Sequence, residues 1–257
     1  MNRVKGKLIL ITGASSGIGA ACARRCAAEG ANLALWARRQ ERLEELDAEL
    51  RASHCVTVLV AEVDVRDRPA VNRAAEQLVG AGHVPDVLIN NAGLASGLSK
   101  VHEGDPEDWD RMIDTNLKGL LNVTRAILPH MVARRRGHVV NIGSTAGHMT
   151  YPMGNVYNAT KFGVRALTEG TNLDVAGTPI RVSAVDPGLV ETEFSEVRFH
   201  GDKKRAAAVY QGLKPLSADD VADAIAYIVN LPEHVNILDL VVMPTIQRDV
   251  YVVDREP

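Results

Sequence analysis

The sequence predicts an α/β fold, a single doubly wound domain over 1–257 with a parallel seven-stranded sheet and helices on both faces. Three observations predict it. Apolar runs of strand length alternate with helical patterns along the whole chain. Those runs are unbroken, as strands buried on both faces require. Strict βα alternation with right-handed crossovers then covers both faces of the sheet. No repeat, low-complexity tract or linker interrupts the pattern.

Each element has a local reason. KLILIT (7–12) is a buried strand, and GIGAACARRCAAEG (17–30) an Ala-rich helix closed by Gly30. NLALWA (32–37) is the second strand, followed by the charged amphipathic helix RRQERLEELDAEL (38–50). VTVLVAEVDV (56–65) is the third strand, with a helix over 67–80. PDVLIN (85–90) leads to one long helix over 105–135, with Asp105 as N-cap and Pro106 at its first position. GHVVNIGS (137–144) is the fifth strand, before a helix over 155–175. IRVSAVDPG (180–188) is the sixth. Ser217 caps a helix over 217–230, and LDLVVMP (238–244) is the last strand. A tail follows over 245–257.

Composition narrows the function. Hydrophobic residues make up 46%, charged residues 24%, and the net charge is −3, so nothing electrostatic speaks for nucleic acid. The run Arg134–Arg136 reads as a solvated helix end. No apolar run approaches the ~20 residues of a membrane span, and the short N-terminal apolar stretch lacks a cleavage site, so no signal peptide is expected. Cys22, Cys26 and Cys55 form no disulfide framework or metal pattern, which points to a reducing cytoplasm and no metal.

TGASSGIG (12–19) lies between the first strand and the first helix. Gly13, Gly17 and Gly19 let a backbone approach pyrophosphate, and a helix N-terminus attracts it. Such glycines also serve ordinary turns; the strand-to-helix position favours a dinucleotide. An acid for the ribose 2′-hydroxyl should follow ~20 residues on. The chain has Arg38 and Arg39 there instead. An acid would repel a 2′-phosphate and an arginine grips one, so NADP is favoured over NAD. Alternatively, the two arginines merely open a surface helix. Asp64 and Val65 close strand three, where a carboxylate can meet an adenine amino group. Asn91, Ala92 and Gly93 close strand four, where small residues let a cofactor lie flat. Plain turn chemistry is the other reading of both.

Taken in order, TGASSGIG (12–19), NNAG (90–93), Asn116, Ser144, YNATK (157–161) and DPG (186–188) resemble the short-chain dehydrogenase/reductase family over almost the whole chain. The resemblance implies a Rossmann fold and a catalytic set of Ser144, Tyr157 and Lys161 supported by Asn116. It adds Ser15, Ser16, Ile18, Pro187, Gly188, Val190 and Thr192 to the cofactor residues, and has Tyr157 and Lys161 touch the cofactor as well. It makes residues from about 189 to 212 a substrate lid, whose sparse apolar pattern suggests mobility. It implies that Lys161 holds the nicotinamide ribose and that Asn116 holds a water linking it to solvent.

The chemistry has its own argument. Hydride transfer to a carbonyl makes an alkoxide that needs a proton, and the reverse needs a base. A free phenol titrates near ~10, too high for base work at neutral pH. Tyr157 and Lys161 are i,i+4 and share a helix face. A positive charge ~4 Å away at an effective dielectric of ~20 is worth roughly 4 kcal/mol, or about three pH units. That would bring Tyr157 near ~7. Ser144 would orient the substrate oxygen. Singly, these residues are a surface pair, a loop cap and a helix-interior polar residue; jointly they align with the cofactor loop. Tyr151 precedes a proline and has no lysine four residues on, which leaves it at most a pocket-lining role.

Three stretches, 154–161, 191–203 and 233–247, are similar to NADP-dependent 3-hydroxy acid dehydrogenases acting on serine, allo-threonine and similar acids. A carboxylate substrate needs a cation, and Arg198 in the lid is the candidate. Related frames reduce bulkier ketones, aldehydes or steroids, and a non-catalytic nucleotide-binding protein would share the fold. The subgroup implies a homotetramer formed by the helices over 105–135 and 155–175. The apolar run of QRDVYVVDREP (247–257) is expected to pack on a neighbouring subunit.

Overall fold

The computed structural model describes residues 2–255; the last two residues of the tail lie outside them. Seven parallel strands form one sheet in the order β3-β2-β1-β4-β5-β6-β7. The strands are β1 (Leu8–Thr12), β2 (Asn32–Ala37), β3 (Val58–Glu62), β4 (Val87–Asn90), β5 (His138–Ile142), β6 (Arg181–Pro187) and β7 (Asp239–Val242). The order reverses between β1 and β4, which register Ile9 against Val87. That reversal opens a crevice above the strand ends, where ligands bind in such sheets.

Side-chain alternation along a strand builds two cores. On β1, Ile9 and Ile11 pack with α1 (Gly17–Ala28), α2 (Gln40–Ser53) and α9 (Ala218–Val229). Leu8 and Leu10 face the other way, toward Val71 and Leu78 of α3 (Arg68–Gly80) and Val123, Ile127 and Met131 of α5 (Leu120–Ala133). The expected caps are present: Asp105 accepts from the Glu107 amide, and Ser217 forms a capping box with Asp220. No described helix is long and apolar enough to cross a membrane.

Three expectations need correcting. The third strand is shorter than 56–65, because it is the sheet edge and only Val58 is fully buried. The long helix over 105–135 is not continuous: α4 (Pro106–Ile113) passes into a π-helical stretch, Asp114–Gly119, before α5. Such widened turns recur at functional sites. The lid, in which the apolar pattern marks no element, is helical. It holds α7 (Phe194–Arg198) and α8 (Lys203–Tyr210), the latter capped by Asp202. The remaining long helix is α6 (Asn155–Asp174).

His138 is buried at the start of β5. Its Nε2 lies 2.8 Å from Ser183 Oγ, and its Nδ1 has no partner. Burial, then Arg181 and Lys7, push its pKa well below the ordinary value. The unfolded chain therefore takes up a proton that the folded chain refuses. The resulting stability is complete above ~6.5 and drains away as pH falls, at up to about 1.4 kcal/mol per pH unit. Urea unfolding from pH 7 to 5 should show parent stability falling relative to His138→Gln; parallel curves would refute it.

Candidate active site

The strand ends converge on a cavity of about 520 Å³. Every residue expected at the site lines it except Gly19 and Asn116, which stand just behind its wall.

The nucleotide end is built first. The chain leaves β1 through Gly13 and enters α1 at Gly17. Ser16 is the N-cap, but its side chain makes no cap bond; it accepts from Arg39 at 2.5 Å. The first turn of α1 thus meets the cavity at Gly17 and Ile18 with no side chain closing it off. A Cβ on Gly19 would lie 2.4 Å from the Gly13 carbonyl, so only glycine lets the loop fold onto the helix. Thr12 Oγ1 accepts from the Asn91 and Ala92 amides at 3.1 and 3.0 Å, tying β1 to β4. Ser15, Arg38 and Arg39 meet at the outer end. Arg39 donates to Ser15 Oγ at 3.1 Å and pairs with Glu193 of the lid at 2.9 Å. Arg42 pairs with the same carboxylate at 2.6 Å. Arg38 makes no hydrogen bond among the described residues. These residues fit a dinucleotide with a 2′-phosphate: a cradle a Cβ would fill, open helix amides, and guanidinium groups without a carboxylate from β2.

Asp64 lies at the same end, gripped by Arg66 at 2.6 Å. Burial alone would raise its carboxyl, but the Arg66 hydrogen bonds outweigh that and hold it below its ordinary value. Nothing in the local sequence distinguishes Arg66 from a solvated residue ahead of α3.

At the other end, α6 carries Tyr157 and Lys161, both buried. Lys161 Nζ donates to the Ile142 carbonyl at 2.9 Å and lies 5.9 Å from the Tyr157 ring centre. Ser144 follows β5; its Oγ accepts from the Ala146 amide at 3.1 Å and donates to the Pro187 carbonyl at 3.4 Å. Asn116 sits on the π-helical stretch. Its Nδ2 donates to the Leu94 carbonyl and to Thr160 Oγ1, and its Oδ1 accepts from the Leu94 amide. It therefore ties the loop after β4 to the turn of α6 that carries Lys161.

The electrostatics differ from the simple pair. Burial pushes the Tyr157 phenol above its ordinary pKa, and the groups that pull it down are Arg198 and the Ser144 hydroxyl. Burial also lowers Lys161 to about 8. Desolvation weighs on both charged forms and offsets the attraction of a bare ~4 Å pair.

Arg198, on α7, has its guanidinium carbon 5.2 Å from the Tyr157 ring centre, 5.7 Å from Tyr151 and 5.8 Å from Phe194. It donates to the Tyr151 hydroxyl, while its Nε is buried without a partner. No carboxylate pairs with it among the described residues. Tyr151 thus lines the pocket as Arg198's partner. The lid is pinned by the Gly97 amide donating to the Arg198 carbonyl at 2.9 Å, and its two ends are tied together by Tyr210 Oη donating to the Val190 carbonyl at 2.8 Å.

The described part of the tail turns back on its own chain. Gln247 Oε1 accepts from the Leu189 amide at 2.8 Å, Val250 lines the cavity, Tyr251 donates to the Thr150 carbonyl, and Arg255 donates to the Gln211 carbonyl. Sequence patterning showed the apolar run but not this return, because its polar anchors are backbone amide and carbonyl groups, which leave no mark on residue type.

A glycine loop at the switch point of a parallel sheet, joined in one cleft to a Ser–Tyr–Lys group, defines an oxidoreductase that works on an alcohol or carbonyl. A family model described as short chain dehydrogenase matches residues 7–203, and the chain belongs to that family. The "NADP-dependent 3-hydroxy acid dehydrogenase YdfG" of Salmonella typhi is 46% identical over 241 residues, 93% of this chain and 96% of that protein. "Sulfoacetaldehyde reductase 2" of Chromohalobacter salexigens is 46% identical over 251 residues, covering 97% and 99%. Among solved structures, the closed form of serine dehydrogenase complexed with NADP+ superposes with a TM-score of 0.91 at 43% identity, covering 97% of this chain and all of that one.

Proposed function

We propose that this chain is an NADP-dependent dehydrogenase of small 3-hydroxy acids, such as serine or allo-threonine. The observation that carries the substrate class is Arg198, a guanidinium beside the Tyr157 ring with no acid of its own. Arg198 is partly buried and its Nε is shut off from any partner; a buried donor left unpaired is costly, and a substrate carboxylate supplies an acceptor. The relatives named for 3-hydroxy acids and serine support the same reading.

The nicotinamide, when bound, supplies or accepts the hydride. Ser15, Arg38 and Arg39 would hold the 2′-phosphate, the α1 amides the pyrophosphate, and Asp64 the adenine side. Val190 and Thr192 would meet the carboxamide and phosphates. Ser144 donates to the substrate oxygen and orients it. Tyr157 gives its proton to that oxygen during reduction and takes it during oxidation. Lys161 stabilises the ionised phenol and holds the ribose, and Asn116 keeps the Lys161 turn in place beside a water path to solvent. A homotetramer accords with the exposed apolar side chains of Leu121, Phe162 and Leu173 on α5 and α6, and a cytoplasmic setting with three free cysteines.

A second reading keeps the chemistry and changes the anion. Arg198 would grip a sulfonate as well as a carboxylate, and one relative is named for a sulfonated aldehyde. Following NADPH absorbance with L-serine, L-allo-threonine, 3-hydroxyisobutyrate, sulfoacetaldehyde and uncharged bulky ketones, each against NAD(H), tests the reading. Turnover of the hydroxy acids with NADP is expected. Preference for the ketones would overturn the substrate class, and preference for NAD would overturn the cofactor.

A further inference from the structure

A second charged group lies behind the catalytic pair. Asp186, in β6, is buried, with its carboxylate tucked against Gly143; a Cβ on that glycine would lie 1.6 Å from Asp186 Oδ1. Only glycine lets the carboxylate pass beneath the end of β5. The preceding residue, Ile142, offers the carbonyl that accepts the Lys161 hydrogen bond. Lys161 is thus bonded at Ile142 and the Asp186 carboxylate lies at Gly143, neighbouring residues at one strand end, and the aspartate's charge opposes the effect of burial on the ammonium.

Asp186 is itself held in place. His148, just past the short turn Thr145–Gly147, contributes Nε2 to the Asp186 carboxylate. Its Nδ1 lies 3.2 Å from Nη1 of Arg165, which has only protons to offer. Nδ1 must therefore accept, so Nε2 carries the hydrogen and donates it to Asp186. Arg165 is anchored to Glu169 at 3.1 Å. From β7, Asp239 lies 3.6 Å from His148 and opposes ionisation of Asp186. The groups facing Asp186 are thus His148 beyond β5, Asp239 on β7, and Lys161 and Tyr157 on α6, with Arg165 acting through His148.

We infer that Asp186 is the internal counter-ion of Lys161, and that His148, oriented by Arg165, keeps Asp186 ionised; both are positioning residues for the proton step assigned above to Tyr157. The inference rests on that assignment for its consequence in turnover, but not for its electrostatics. Burial raises Asp186 to about 6 while the His148 hydrogen bond opposes the rise. Losing the His148 donor would therefore leave the aspartate protonated at higher pH, and the lysine without its partner.

The test is a direct titration of Lys161 in the intact protein. Carbon-13 labelled lysine is used, and the resonance is assigned by its loss in Lys161→Arg. In Asp186→Asn, the Lys161 midpoint should fall by about one pH unit, the low end of what an opposite charge nearby contributes. The alkaline limb of the kcat profile should move the same way. His148→Leu should shift the midpoint in the same direction by less, and His148→Gln, which keeps an N–H donor, should restore most of it. His148 is partly exposed, so its variants serve even if Asp186→Asn fails to fold. An unchanged Lys161 midpoint in the aspartate variant, or in the leucine variant should the first not fold, would overturn the inference. An altered midpoint with no change in the kcat profile would instead overturn the proton role of Tyr157 and Lys161.

Discussion

Replacing Tyr157 with phenylalanine should lower kcat by about 10²- to 10⁴-fold, the usual worth of a positioned acid or base. NADPH affinity, read by fluorescence quenching, should stay within about threefold, since a proton donor adds little to ground-state binding. The ring is buried at 8% exposure, stacked edge-on to Phe194 at 5.7 Å and under Arg198. Phenylalanine fills the same space, so the fold should hold and the loss should sit in chemistry. A variant keeping a tenth of parental kcat would show that another group moves the proton. Burial raises the phenol, so the basic arm for alcohol oxidation should also move to lower pH when the positively charged oxidised cofactor binds.

The second large effect is at Arg198. Arg198→Gln should cut kcat/KM for a 3-hydroxy acid by about 10²-fold, as losing a charged hydrogen-bond partner costs about 1.5–3 kcal/mol. For an uncharged ketone of similar size the fall should be about threefold or less. A uniform loss across both would mean that the guanidinium serves the lid or Tyr157 rather than a substrate anion. Because Arg198 pulls the Tyr157 phenol down, the variant should also shift the oxidation profile toward higher pH, whatever the substrate.

The strands, their parallel order and the convergence of the glycine loop with Ser144, Tyr157 and Lys161 were legible because each leaves a short-range mark. An apolar run announces a strand, and the i,i+4 spacing of Tyr157 and Lys161 announces a shared face. The lid helices were not legible. α7 is one turn and α8, KKRAAAVY, shows no apolar stripe. The break between α4 and α5 was hidden because Asn116 supplies bonds to Leu94 and Thr160 that no local pattern encodes. Arg198 was legible as a cation in the lid, but its place beside the rings of Tyr151 and Tyr157 depends on packing between segments some forty residues apart. Glu193 and Asp186 act through partners far along the chain, Arg39 and His148, and the long-range pairing of charges is what a single sequence conceals best.

The widened turn at Asp114–Gly119 has a mechanical meaning. It holds a surplus residue inside an otherwise regular rod, so α4 and α5 are out of phase with each other by roughly one residue, about 100° of rotation. The portion that buries Val123, Ile127 and Met131 beside the sheet and the portion that buries Met112 beside Ala95 and Tyr157 are thus set at different rotations about one axis. The helix behaves as two keys cut on one shaft, and the offset between them is where the chain places the amide of Asn116.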